Sequence, residues 1–142
     1  MEMRSFLGLY SVPHYYGNTV RMLLLTCAAL SAIAIPLVGN LLPFGVLPQV
    51  GLSLLLVLLA GLTNPHGTIS MVCNAVVSGV GVLLLESFAI SGYPTASAGF
   101  FIASEALSLM LLFAFYYSIK TLRAMMLGKL GAWEQPEEFT NE

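Results

Sequence analysis

From Met22 to Ile119 the chain carries only two charged side chains, Glu86 and Glu105. A run of this length folding in water needs charge on its surface, and soluble domains carry about 25% charged residues. The whole chain here carries 8%, against 58% hydrophobic residues and a mean hydropathy of +0.88. Lipid is therefore the expected surrounding solvent. Backbone polar groups in lipid must be bonded internally, which long apolar runs achieve as α-helices. The expected class is an all-α integral membrane protein. Disorder is excluded by the same composition, and five Lys plus Arg are too few for the basic patch of a nucleic-acid binder.

A helical crossing takes roughly 20 apolar residues, because the hydrocarbon core is about 30 Å thick and a helix rises about 1.5 Å per residue. Four runs fit, at 22–42, 46–62, 68–91 and 99–119. Pro43 and Pro48 bracket the first link, residues 63–68 (TNPHGT) form the second, and 91–98 (SGYPTASA) form the third. Thr68 is suited to cap the third span, and Pro36 predicts a kink in the first. Links this short make successive helices antiparallel, so the chain reads as a four-helix antiparallel transmembrane bundle.

All five cations lie outside the spans: Arg4 and Arg21 before the first, and Lys120, Arg123 and Lys129 after the fourth. Positive residues stay in the cytoplasm, so the expectation is a multi-pass protein of the cell membrane with both termini cytoplasmic. The first span starts late and lacks a small-x-small site before polar sequence, so it reads as a retained helix rather than a cleaved signal. Thr26 before Cys27 also fits a lipoprotein box poorly.

Catalytic signatures are missing. Cys27 and Cys73 are far apart in sequence, with no Cys-x-x-Cys pair, and read as small apolar side chains. His14 falls in the N-terminal tail and His66 in a turn, so neither supplies an axial haem ligand inside the bundle. There is no Gly-rich phosphate loop, HExxH pair or Gly-x-Ser-x-Gly elbow. A non-enzymatic protein with no cofactor is expected.

Glu86 and Glu105 stand out because an ionised carboxylate at membrane depth costs on the order of 3 kcal/mol. Glu86 lies five residues before the turn at Ser91, and Glu105 seven after Ala98, so both fall roughly 8–10 Å below that turn. Glu86 shares a stripe with Ala75, Gly79 and Val82, whose small members allow close helix approach. Glu105 is expected to share a face with Ala98, Ile102, Ser108, Leu112 and Tyr116. Facing each other, the two carboxyls would share a proton or hold a cation, with Asn74, Ser78 and Ser108 extending the polar line. The competing reading makes each Glu a neutral hydrogen-bonding group between helices.

The tails flank this core. Residues 1–21 form an N-terminal interfacial segment, with Tyr15 and Tyr16 as anchors at headgroup level. Tyr116, Tyr117 and Trp133 mark the same interface at the other end. Residues 120–133 read as a basic, amphipathic juxtamembrane segment that continues the fourth helix and turns near Gly128 and Gly131. Residues 134–142 carry four Glu and a Pro and read as a disordered acidic tail. The expected partners are the lipid bilayer and either further copies of the chain or other membrane subunits. The expected role is an accessory or scaffold subunit of a membrane assembly. The alternative is a small proton or cation transporter or channel built on Glu86 and Glu105.

Overall fold

The computed structural model describes residues 15–42, 45–64 and 67–129. These form four helices: α1 (Gly17–Val38), α2 (Val46–Leu62), α3 (Thr68–Gly92) and α4 (Ala98–Met126). There are no strands among the described residues. Helices α1, α3 and α4 are long and apolar enough to cross a membrane, whereas α2, at 17 residues, is shorter. The N-terminal segment to residue 14, Pro43, His66, Trp133 and the acidic tail lie outside the described residues.

One helix departs from its expected span at both ends. The first starts at Gly17 rather than 22, because the polar turn Gly17–Arg21 bonds as helix backbone: Val20 N–H donates to the Tyr16 carbonyl at 3.1 Å. It ends at Val38 rather than 42. Pro36 has already removed one helical donor, and Gly39 then takes φ +84°, which suits glycine. Thr68 does not cap α3; it is the first helical residue, and Gly67 holds the cap position.

The fourth helix runs on past the apolar run to Met126. There the Gly128 N–H donates to the Met125 carbonyl and the Lys129 N–H to that of Ala124, with Gly128 at φ +63°. This is a Schellman ending, which needs a left-handed residue after the cap. At its other end Ser97 accepts a hydrogen bond from the Phe100 N–H at 3.2 Å, a side-chain N-cap.

Helix α4 is central to the packing, lying against both α3 and α1, and α1 also packs on α2. Helices α2 and α3 barely touch and leave between them an aliphatic cleft of about 320 Å³. Gly79 on α3 lies against the Phe115 ring and Gly81 against Leu111. The Tyr16 N–H donates to Thr121 Oγ1 at 3.1 Å, and Val38 sits beside Gly99. Along both pairs, residue numbers fall on one helix as they rise on the other.

The surface is apolar, unlike that of a water-soluble bundle, and the core mixes Leu24, Leu41, Leu56, Met71 and Leu111 with polar side chains. Ser31, Gln49, Ser53, Thr63, Asn74 and Ser78 are buried, as are Ser104, Ser108, Ser118 and Thr121. Large aliphatics point outward from every helix, among them Leu37, Leu47, Ile69 and Ile102, each at least 72% exposed. Small residues inside allow close helix contact, and bulky ones outside suit a hydrocarbon surround.

Candidate functional site

Glu86 is half-buried on α3, and its Oε1 accepts a hydrogen bond from Ser108 on α4 at 2.5 Å. The stripe that carries it is the one meeting α4. Ala75 is buried, Val82 packs on the core, and Gly79 admits the Phe115 ring to within 3.1 Å of where a Cβ would stand. The hydroxyl-to-carboxyl bond ties α3 to α4, with Ser108 buried and Glu86 half-buried.

The carboxyl expected to face Glu86 takes a different direction. Glu105 is exposed, whereas Ser108, three residues on, is 3% exposed. The two therefore do not share one face: Ser104, Leu107, Ser108 and Leu111 turn inward, while Ile102, Glu105, Leu109 and Leu112 turn outward. At about 100° per residue, an offset of three leaves side chains some 60° apart, enough to separate an interface position from an outer one. The partner given to Glu86 is thus Ser108, not Glu105.

Asn74 is fully buried nearer the other end of α3. Its Nδ2 donates to Thr63 Oγ1 at 2.9 Å, and Thr63 Oγ1 donates to the Leu59 carbonyl at 2.8 Å. Asn74 Oδ1 and Ser78 Oγ, one turn apart, are buried without a hydrogen-bond partner among the described residues, as are Ser104 Oγ and Ser118 Oγ. Between Ser78 and Glu86 the buried positions of α3 are Gly81 and Leu85, opposed by Leu111 at 1% exposed. An apolar layer thus separates the amide end of the seam from the carboxyl end.

Gln49 is the residue that sequence reasoning passed over. It is 0% exposed; its Oε1 accepts from the Leu41 N–H and its Nε2 donates to the Ser31 carbonyl, both at 2.8 Å. One amide thereby fastens the link after α1 and the body of α1 to the start of α2. The available signal was that Gln49 is the one amide side chain in residues 46–62.

At the tail-side end, Tyr16 and Tyr117 stack at 5.5 Å between centroids, and Lys120 Nζ lies 4.4 Å from the centre of the Tyr16 ring. Tyr116 is 5.3 Å from Tyr117 and exposed. Burial raises the Tyr15 phenol above its usual pKa, and the Arg21 charge partly offsets this. The described residues contain no cluster of three or more His, Cys, Asp or Glu able to hold a metal ion. Comparison with protein-family models, with curated proteins and with solved structures gives no match.

Proposed function

We propose that the four helices form an antiparallel bundle in the cell membrane with both termini cytoplasmic. Within it the chain acts as a non-enzymatic accessory or scaffold subunit of a membrane assembly. The observation that carries this reading is the apolar exterior: bulky aliphatics face outward on all four helices, around a core that holds serines, Asn74 and Gln49 among its leucines. In water such an exterior would aggregate, whereas in lipid it needs no cover. The five cations beyond the apolar runs favour cytoplasmic ends. Helix α2 covers about 26 Å at 1.5 Å per residue, slightly less than a typical hydrocarbon core, which local thinning of the bilayer accommodates. The apolar layer of Leu85 and Leu111 favours a structural role for Glu86 over a conducting one.

A subunit of an assembly retains its partner in mild detergent. Full-length tagged protein should co-purify a second membrane protein in fixed ratio, and deletion of residues 134–142 should reduce that recovery without reducing membrane insertion. Purification as this chain alone, in every mild detergent tried, would refute the accessory role.

A second reading rests on Glu86 itself, a carboxyl half-buried at membrane depth and bonded to a hydroxyl. Such groups form proton and cation sites in transporters. Reconstituted vesicles test it: proton or cation flux lost in Glu86→Gln with stability retained supports transport, and no wild-type flux under any gradient removes it.

A further inference from the structure

Glu105 and Ser87 are both exposed, one on each of the two helices that pack most extensively. Glu105 lies between Ile102 and Leu109, and Ser87 between Leu83 and Ile90 with Ser91 one turn on, all exposed. The pairing of α3 with α4 fixes their relative depth. Glu86 bonds Ser108, and Gly92 lies beside Phe100, so the α3 position level with Glu105 is Phe88, next to Ser87. Ser87 Oγ donates to the Leu83 carbonyl at 2.6 Å, which leaves its own lone pairs free to accept. Glu105 has no hydrogen-bond or ionic partner among the described residues.

Resting on the membrane reading above, we propose that the outer face of α3 and α4 is a homodimer interface. In it the Glu105 carboxyl of each copy hydrogen-bonds Ser87 Oγ of the other. A twofold axis along the membrane normal preserves depth, so a contact between two different residues is possible only if they lie at the same level, as these do. The same axis then makes the contact twice, which is the property of an isologous interface. The flanking aliphatics supply the surrounding packing, and the two hydrogen bonds set the register. A second copy is the occupant because the two groups of the pair are both on this chain, exposed and at matched depth. The five cations lie outside the apolar runs, at the tails, and so offer Glu105 no ionic partner at that depth.

Cysteine cross-linking on the full chain tests this, with both native cysteines replaced by alanine. Two differently tagged copies, one S87C and one E105C, are co-expressed and oxidised in the membrane. The expected result is a mixed-tag dimer, more abundant than from either variant expressed alone. In mild detergent, E105L and S87A should each raise the dimer dissociation constant about tenfold, while E105Q, whose amide still donates, should stay within about threefold of the parent. A monomeric parent protein, or cross-linking no stronger than that of a control pair at Leu55 and Val80, would overturn the proposal while leaving the membrane reading standing. Release of the parent from membranes by alkaline extraction would overturn both.

Discussion

Replacing Gln49 by methionine tests whether one buried amide holds the first two helices together. Methionine matches glutamine closely in length, so little cavity term enters. The change removes the bond to the Ser31 carbonyl and leaves the Leu41 N–H, in a link outside any helix, without its acceptor. A side-chain hydrogen bond in a membrane protein averages about 0.6 kcal/mol, and a buried donor left unpaired costs about 1–3 kcal/mol. Together these give about 1.6–3.6 kcal/mol, a shift of roughly 15- to 400-fold in the unfolding constant. The assay is equilibrium unfolding in mixed micelles, followed by helix signal against denaturing detergent. Ser53→Ala is the matched control, because Ser53 Oγ donates only to the Gln49 carbonyl of its own helix; it should change stability by under about 0.5 kcal/mol. A Gln49→Met loss no larger than that of the control would refute the clamp.

Other perturbations follow from the α3 and α4 seam. Ser108→Ala should destabilise by about 1 kcal/mol in the same assay, whereas Glu86→Gln, whose carbonyl still accepts from Ser108, should be nearly neutral; equal losses would mean the Oε1 bond is not the contact that matters. Gly79→Leu must displace the Phe115 ring, whose nearest atom lies 3.1 Å from an ideal Cβ, and should cost about 1–3 kcal/mol. Cys73 is exposed and Cys27 buried, so a small maleimide added to the folded protein in detergent should modify Cys73 first and reach Cys27 only on denaturation, as mass spectrometry would show. Equal labelling rates would contradict the packing of α1.

Helix α2 coincides with the apolar run at 46–62, which Gly45 precedes and the Thr63–Asn64 turn follows. Helix α1 was displaced by several residues because hydropathy reports where lipid could be met, whereas helix bounds follow backbone bonding. Gly17 to Arg21 is polar yet helical, and residues 39–42 are outside the helix. The same distinction explains α4, whose last turn carries Arg123 beyond the apolar run. Small-residue spacing singled out the stripe of α3 that carries Ala75, Gly79 and Glu86, and the adjoining buried face, with Ser78 and Gly81, also meets α4. Spacing alone could not separate Glu105 from Ser108, which lie three apart and differ by a modest rotation. Gln49 was hidden for another reason: its partners are the backbone groups of Leu41 and Ser31, and a backbone carbonyl leaves no trace in a side-chain pattern.

Orientation of the bundle is measured most directly by the location of its two ends, because the short α2 makes the parity of crossings a real choice. Epitope tags at the N terminus, at the C terminus and within the 93–97 turn are probed with impermeant protease in intact and then permeabilised cells. Four crossings predict that both terminal tags are cut only after permeabilisation, while the tag in the turn is cut in intact cells. Terminal tags cut on opposite sides would mean that α2 does not cross, and the antiparallel bundle with cytoplasmic ends would be wrong.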